Sequence, residues 1–436
     1  MKTPEHKLSG AQQDTRPTSN GVSRRAFLGA GAGTLAALFL SSCAPTGSGS
    51  SSGVNFTSWL FGNKSSAGAV GEAVEGFTQF TGVRVVDRTY PYAQYLNQLV
   101  LKSRGGRSSG IAHIDEEWMS TLVTAGVLKD LGGVVDQSLY PQRVIDSGLY
   151  RATRYAMPWT QSAIGIVTNT RLAREFGIDL ASLTTVEAFT SALRTIKRAD
   201  KSMIPYVPCT NVTQLKDYIA WVWAFGGTVV REGQVTLGDD GSIRALEYWK
   251  MLLDDGLIEP GIVRDDARTL FGQERAVFYE DAPQAINVVP KSSSDPGIAG
   301  VMAPLARPST SNGTSANLLW SQPLVALSLN NEVRALLQYM STDNNGLQTM
   351  FDASGQPPTT NSALESSWFN QAAFHSQWNR VVTGSARRNP LWEFPLATTA
   401  QLLLDESIER GLKGTVSVSA ALAEAREGLQ EEYEKH

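Results

Sequence analysis

Apolar residues recur along the chain at spacings that predict alternating strands and helices. The run from Val54 to Trp59 predicts a strand, and the residues from Ala69 to Phe80 place an apolar stripe on one face of a helix. The same alternation continues to the C-terminus, with strands predicted at 83–87, 111–114, 155–170 and 318–329 and helices at 92–101, 116–126, 186–196, 245–253, 332–340, 396–410 and 419–433. Strands that alternate with helices in this way predict an α/β sheet.

The N-terminal segment contains an apolar run that is too short to cross a membrane. Fifteen uncharged residues from Ala26 to Leu40 would form a helix of roughly 22 Å, whereas the hydrocarbon core of a bilayer is ~30 Å thick. Small residues crowd this run and it lacks amphipathic spacing, which argues against the alternative of a buried core helix. A basic pair followed by a short apolar run and small residues is the order of an export signal.

Two short motifs indicate the kind of signal. Arg24-Arg25, within Ser-Arg-Arg-Ala-Phe-Leu, resembles the twin-arginine signal of bacteria. The sequence Leu-Ser-Ser-Cys that ends at Cys43 resembles a lipobox, in which the cysteine receives a diacylglyceryl group and becomes the new N-terminus. We therefore predict a signal peptide over residues 1–42, followed by the lipidated Cys43 and a Gly/Ser-rich tether over residues 43–53. The folded part would then be held at the extracytoplasmic face of the bacterial cell membrane.

Charge and cysteine content narrow the class of protein. The full chain has 38 basic and 42 acidic side chains, and residues 1–42 hold five of the basic and two of the acidic ones, so their removal leaves a net charge near −7. This balance offers no basic stripe for nucleic acid. Cys209 is the only cysteine besides Cys43, so we expect no intrachain disulfide. Four scattered histidines fit no metal motif, and we predict no metal and no other cofactor.

The common motifs of catalytic sites are absent from the sequence or lack their required context. S-x-x-K and P-loop motifs do not occur, and the two G-x-S-x-G matches, at 49–53 and 106–110, lie in Gly/Ser-rich loop sequence and follow no predicted strand, which removes the usual sequence support for nucleophilic or phosphoryl chemistry. One enzymatic alternative remains, because Asp115-Glu116-Glu117 could face Glu280-Asp281 across a cleft, as the two carboxylates of a glycoside hydrolase do. Clusters of carboxylates are usually solvated loop charge. We therefore predict a binding protein with no catalytic residues.

Four longer stretches, taken in order, resemble a known family. They are FTQFTGVRVVD, HIDEEWMSTLVTAGVLKDL, YAMPWTQSAIGIVTNTRLAREFGI and ARRNPLWEFPLATTAQLLLDESIERGLKG. Together with the lipoprotein signal they resemble the family 1 extracellular solute-binding proteins, which are the capture subunits of ABC importers for sugars and related solutes. The four stretches run over nearly all of the chain after the signal.

The resemblance implies an α/β fold of the two-lobe periplasmic-binding-protein-like kind (type II), with discontinuous lobes and the ligand in the cleft between them. The first lobe would combine residues 54–158 with 319–346, and the second would combine 159–318 with 347–436. The chain would cross between the lobes near 158–160, 318–322 and 346–354. Such a discontinuous layout cannot be worked out from periodicity.

Aromatic side chains are the first site candidates, because the C–H face of a sugar packs on flat apolar rings. Trp59 would lie at the carboxyl edge of the sheet, with core packing as an equal alternative. Trp118 fits core packing better, whereas Trp223 precedes a glycine pair where the family commonly lines its site. The aromatic and glycine candidates from the resemblance are Trp59, Trp159, Trp223, Gly226, Gly227, Trp320 and Trp392.

Polar candidates follow from the same resemblance. Glu116, or Asp115 beside it, matches the position where family members often hold a carboxylate on sugar hydroxyls. Arg387 or Arg388 matches a family arginine near the ligand, although either could be a surface charge. Thr160 is a weaker hydrogen-bonding candidate.

The resemblance implies a monomeric lipoprotein that captures a carbohydrate or related polar solute. It would deliver this solute unchanged to the permease and ATPase subunits of an ABC importer. The solute stays open at this point among a disaccharide, an oligosaccharide, an amino sugar and a glycerophosphodiester. The alternative functions are a secreted lipoprotein glycoside hydrolase and a lipoprotein that binds glycerophosphodiesters or peptides on the same fold.

Overall fold

The computed structural model describes residues 53–64, 66–106 and 108–435. The predicted signal peptide, the lipidation site Cys43 and the tether up to residue 52 lie outside the described residues. Within the described part of the chain, no helix has both the length and the apolar character that crossing a membrane requires.

The described residues form strands and helices in the following order. The strands are β1 Val54–Thr57, β2 Val85–Arg88, β3 Ile111–His113, β4 Leu149–Tyr150, β5 Thr153–Arg154, β6 Ala156–Asn169, β7 Tyr206–Val207, β8 Val230–Arg231, β9 Gln234–Val235, β10 Phe278–Asp281, β11 Met302–Leu305, β12 Asn317–Ala326 and β13 Ala386–Arg387. The helices are α1 Ala67–Thr81, α2 Tyr92–Arg104, α3 Met119–Thr124, α4 Gln142–Ile145, α5 Thr170–Glu175, α6 Val186–Ala199, α7 Tyr218–Ala224, α8 Asp240–Asp254, α9 Arg264–Gly272, α10 Ala285–Val288, α11 Asn331–Thr342, α12 Asn344–Ser354, α13 Asn361–Leu364, α14 Ser367–Gln371, α15 Ala373–Val381, α16 Ala397–Leu412 and α17 Val418–Glu434.

One sheet runs through the molecule in the strand order β2-β1-β3-β12-β6-β10-β7. The strands β2, β1 and β3 pair in parallel, and β10 pairs in parallel with β7. The long strands β6 and β12 are antiparallel to each other and join these two parallel parts. We call the part built on β1 to β3 the first lobe and the part built on β7, β10 and β11 the second lobe.

The strands β6 and β12 cross from one lobe to the other. The first residues of β6 pair with the last residues of β12, which in turn pair with β3 of the first lobe. The last residues of β6 pair with β10 and β11 of the second lobe. The pairing register shifts between Gln322 and Leu324, at Pro323, because a proline has no backbone N–H to donate.

Each lobe has its own apolar core. The first contains Val54 and Phe56 of β1, Phe77 of α1 and Leu336 of α11. The second and larger one is formed by α6, α7, α8, α16 and α17 around the ends of β6 and β10. Two separate cores joined by two long strands leave room for a cleft between the lobes.

The chain connection after β12 bears on the predicted lobe boundaries. Leu347 and Met350 of α12 pack in the same cluster as Val54, and so does Ala363 of α13. Residues 346–354, which were predicted as a crossing segment, lie within α12. The contact with β6 is made after this helix, where the Thr359 hydroxyl donates to the Trp159 carbonyl at 3.2 Å. The boundaries themselves stay a prediction.

Candidate functional site

A cleft of about 790 Å³ lies between the lobes, on one face of the crossing strands. Trp320 and Gln322 of β12 and Ile164 of β6 line its base. Its walls begin where strands end, since Trp59 follows β1, Glu117 follows β3 and Asp281 ends β10. The carboxyl edge of an α/β sheet is the usual place for a ligand.

The wall from the first lobe is aromatic and is held rigidly. Trp59 begins a short 3-10 helix, whose preceding residue Ser58 accepts a hydrogen bond from the Leu60 N–H at 3.1 Å. The Trp59 ring stacks on His113, with ring centroids 3.9 Å apart and planes 25° from parallel. Burial lowers the pKa of His113 to about 3, so this stacking partner is neutral. The edges of Tyr92, Tyr95 and Trp118 fix the same indole from other sides.

Asp115 lies directly behind this aromatic wall. The Tyr92 hydroxyl donates to Oδ2 of Asp115, and the Gln322 amide donates to Oδ1 at 2.8 Å. Burial, together with the nearby Glu117, raises the pKa of Asp115 to about 6 even though Lys216 and the two hydrogen bonds act in the opposite direction. Two residues that face the cleft are thus positioned by one buried carboxyl.

The wall from the second lobe is charged, and its cations are mostly paired. Arg268 forms a fork on Asp281, with Nε 2.7 Å from Oδ2 and Nη2 3.0 Å from Oδ1. Arg264 pairs with the buried Asp217 and also donates to the Glu280 carbonyl. These contacts make the wall a fixed array of hydrogen-bonding groups.

One ion pair spans the cleft. The Lys216 ammonium of the second lobe lies 2.8 Å from the Glu117 carboxylate of the first. Burial alone would lower the pKa of Lys216, but the carboxylates of Glu117 and Asp115 outweigh it, and the pKa is raised. Lys216 therefore stays charged at neutral pH.

The structure brings four of the predicted site residues to the cleft or directly behind it. Trp59 and Trp320 line it. Asp115 holds two of its lining residues, as described above. Thr160 does not line the cleft itself. Its hydroxyl donates at 3.0 Å to the amide oxygen of Gln356, which does line the cleft.

Two other predicted residues, Trp159 and Trp223, lie in the cores, and the predicted glycines Gly226 and Gly227 follow α7. Trp159 is 0% exposed and packs between Phe56 and His113. Trp223 belongs to the second-lobe core, because every residue of α7 is buried. A side chain on Gly226 would lie 2.6 Å from the Asn312 carbonyl, and one on Gly227 would lie 2.5 Å from the Ser242 nitrogen. The two glycines therefore allow neighbouring backbone to approach closely, and neither Asn312 nor Ser242 lines the cleft.

The remaining predicted residues lie around the back and one side of the crossing strands. Arg388 donates from Nε to the buried Glu116 at 3.1 Å and also pairs with Glu393. Arg387 is exposed, with its guanidinium 5.8 Å from the centre of the Trp223 ring. Trp392 lines a side cavity of about 220 Å³ that shares Glu117, Thr213, Gln401 and Asp405 with the cleft. Ligand contact by any of these residues stays a prediction.

Several cleft residues escaped the sequence analysis. Tyr92 on the aromatic wall, Lys216 and the two arginines Arg264 and Arg268 all line the cleft. Trp118, which the sequence analysis assigned to core packing, packs in the first-lobe interior and lines the cleft as well. Asp405 could have been found from its pattern, since this carboxylate interrupts the buried stripe of Leu404 and Ile408 on α16. Within the described ranges, no group of three or more His, Cys, Asp or Glu residues could hold a metal ion.

Comparison with known proteins assigns the family. Residues 72–375 match the family described as bacterial extracellular solute-binding protein. The chain belongs to this family. The resemblance predicted from the sequence is thereby confirmed. Because this is a family of exported binding proteins, the prediction that the chain is not an enzyme is confirmed as well.

Two relatives of this solute-binding protein show how far the likeness extends. A binding protein of Brucella abortus is 21% identical over 241 residues, which cover 53% of this chain and 58% of the relative. The chain thus spans a little over half the length of that relative. The galactooligosaccharide-binding protein of Bacillus subtilis is 21% identical over 411 residues, covering 89% of this chain and 93% of the relative.

A solved structure confirms the fold of this solute-binding protein. The GacH receptor of Streptomyces glaucescens superposes with a TM-score of 0.77 at 17% identity, covering 88% of this chain and 98% of the receptor. The predicted α/β fold of the two-lobe, type II periplasmic-binding-protein-like kind is therefore correct.

Proposed function

We propose that this solute-binding protein captures a carbohydrate or related polar solute and delivers it unchanged to an ABC importer. The cleft carries this proposal: one wall holds Trp59, Tyr92 and Trp118, while the facing wall holds fixed charged groups. Aromatic rings suit the C–H face of a sugar, and oriented charged groups accept or donate hydrogen bonds to its hydroxyls. A volume of about 790 Å³ accommodates a ligand of several rings.

The named relatives support a carbohydrate in particular. One is described as a galactooligosaccharide-binding protein, and the GacH receptor was solved in complex with acarbose. Both cover most of this chain. The alternatives of glycoside hydrolysis, and of glycerophosphodiester or peptide binding, have no comparable support among these relatives.

We also propose that the protein is a monomer held on the outer face of the cell membrane by lipid on Cys43. The support is the order of Arg24-Arg25, the short apolar run and the lipobox-like sequence ahead of a Gly/Ser tether. Permease and ATPase subunits would be its partners. A tethered capture protein remains close to the permease, which raises the effective concentration of the loaded form there.

Thermal unfolding of the purified protein with a solute panel tests the proposed function. The panel contains malto- and galacto-oligosaccharides, amino sugars, glycerophosphodiesters and peptides. A bound solute at a hundred times its dissociation constant should add ~2.7 kcal/mol to the free energy of unfolding. We expect a shift with an oligosaccharide, which should be recovered unaltered after incubation.

Two variants connect that shift to the cleft. Trp320→Ala removes an aromatic ring from the base of the cleft, so the stabilisation by the sugar should fall. Phe80→Ala is the matched control, because this ring is 81% exposed and packs on Tyr339 of α11, away from the cleft. Stabilisation only by peptides or glycerophosphodiesters, or an equal loss in both variants, would contradict the proposal.

A further inference from the structure

The cleft is continuous with the side cavity at one place, where the two share Glu117, Thr213, Gln401 and Asp405. Three carboxyl groups lie near this junction, and they belong to Glu117, Asp405 and Asp115. Glu117 and Asp115 together raise the pKa of Lys216. Lys216 is the one ammonium at the junction among the described residues, and it pairs with Glu117 at 2.8 Å. The neighbouring Asp217 is already paired with Arg264. Lys216 and Arg264 are thus both paired with carboxyl groups other than Asp405.

Asp405 is the carboxyl group that has no cation. It is 3% exposed, and no Lys, Arg or His nitrogen of the described chain lies within 4 Å of it. Gln401 donates to its Oδ1 at 2.7 Å, while Oδ2 accepts no hydrogen bond from the described residues. Burial raises the pKa of Asp405 well above its ordinary value, so the group holds a proton readily, and a ligand cation beside Oδ2 would favour the ionised form again.

Neighbouring groups hold Asp405 in position. The Asn389 amide donates to the side-chain oxygen of Gln401 at 2.8 Å, which turns the Gln401 nitrogen toward Asp405. Trp392, on the other side of the cavity, is 5% exposed, and its indole N–H has no hydrogen-bond partner among the described residues. A ligand at the junction would thus meet the Asp405 carboxyl group and the indole of Trp392, which both line the side cavity. A carboxyl group beside an aromatic ring suits an amine that is carried on a sugar ring.

We infer that this junction binds a protonated amine of the ligand on Asp405, so that the captured solute is an oligosaccharide that contains an amino sugar. The inference rests on the proposed function and narrows its class of solute. The sugar rings would pack along the aromatic wall of Trp59, Tyr92 and Trp118. The amine-bearing ring would lie at the entrance of the side cavity, beside Trp392.

Calorimetric titration of the purified protein at neutral pH tests this inference with a matched pair of probes. The β-1,4-linked trimer of glucosamine carries amines, whereas the trimer of N-acetylglucosamine has the same linkage without a charge. We expect the amine trimer to bind at least tenfold more tightly, and added salt should shrink that preference because it screens an ion pair. Equal affinity, tighter binding of the acetylated trimer, or no binding of the amine trimer would overturn the inference.

Two variants test whether Asp405 is responsible for the preference for the amine trimer. Asp405→Asn keeps the shape of the side chain and removes its charge, so the preference should disappear while the affinity for the acetylated trimer changes less than about threefold. Glu406→Gln is the control, because this carboxylate lies next to Asp405 on α16 but is exposed and lines neither the cleft nor the side cavity. If Asp405→Asn fails to fold, the salt dependence of the parent protein still decides. The solute panel separately tests the proposed function, which stands if neutral oligosaccharides bind without any preference for an amine.

Discussion

A single buried carboxyl group, Asp115, joins the aromatic wall to the crossing strand β12. It accepts hydrogen bonds from Tyr92 on one side and from Gln322 on the other. The pKa of Asp115 is about 6, above its ordinary value of 3.8, chiefly because of burial. The group therefore binds a proton more tightly in the folded state than in the unfolded chain, and its contribution to stability depends on pH.

The sign of this dependence gives our first prediction. As pH rises from about 4 to about 6, the unfolded state loses its proton first, so Asp115 should lower the free energy of unfolding across this range by up to roughly 3 kcal/mol. The Asp115→Asn variant has no ionisable group at this position, so its free energy of unfolding should not decline in this way. Urea unfolding of both proteins at a series of pH values should show that the stability of the variant increases relative to that of the parent as pH rises through this range. Parallel curves for the two proteins would contradict the assigned pKa.

Sequence reasoning at the residue scale succeeded where a side chain follows a strand end. Trp59 was placed at the carboxyl edge of the sheet, and it lines the cleft. The prediction that Trp223 lines the site had no such basis, because α7 is buried on every side and both of its tryptophans lie in the core. Helical spacing distinguishes two faces only when one of them meets water.

The junction between α7 and α8 shows why glycine is required at an element boundary. Asp239 caps α8 by accepting the Ser242 N–H at 2.8 Å, and its other oxygen accepts the Thr228 N–H at 2.9 Å. Gly227 lies against this cap, where a Cβ would come within 2.5 Å of the Ser242 nitrogen. The close approach of the two helix ends depends on the missing side chain.

We predict that Gly227→Ala lowers the free energy of unfolding by roughly 1–3 kcal/mol, because backbone and the helix cap would both have to move. Gly428→Ala is the matched control, since this residue lies inside α17 with open space around it. Alanine there should stabilise the protein by roughly 0.5–1 kcal/mol. Chemical unfolding measures both changes, and equal effects of the two substitutions would refute the packing argument.

The longest helices and the two crossing strands could be predicted from the sequence, whereas short strands such as β7 and β10, and the pairing of all the strands, could not. The stripe of α6, with Val186, Phe189, Leu193 and Ile196 buried, repeats at helical spacing and was found within a few residues of its observed ends. The antiparallel pairing of β6 with β12 joins residues more than a hundred positions apart. Hydrophobic periodicity carries no information about such pairing, and only the family resemblance indicated that the chain crosses between the lobes near 158–160 and 318–322.

For the molecule as a whole, the cleft and the crossing strands predict closure on binding. A solute that contacts both walls favours the closed arrangement, by rotation near Trp159 and Ser321 on the two crossing strands. Small-angle scattering should therefore give a smaller radius of gyration with a saturating solute from the panel than without it. An unchanged radius would count against a large rotation.

Anchoring of the whole molecule is tested at Cys43. Because stable attachment requires more than one acyl chain, Cys43→Ala should release the protein from the membrane or leave its signal uncut. Cys209→Ala is the matched control, as this buried thiol hydrogen-bonds Gln214 within the second lobe. Detergent phase partitioning distinguishes the two variants. Recovery of Cys43→Ala in the detergent phase at the parental level would exclude the anchor.

The pairing of β3 with β12 has a consequence for the nascent chain. Ile111 lies opposite Ala326, so 215 positions separate the two partners in the sequence. At a synthesis rate of roughly 5–20 residues per second, β3 would leave the ribosome on the order of 10–40 s before its partner exists. During that interval α6, α7 and α8 of the second-lobe core are made but α16 and α17 are not, while the strands of the first lobe expose an open edge that can pair wrongly. We therefore expect early chaperone contacts of the nascent chain to concentrate on β1 to β3.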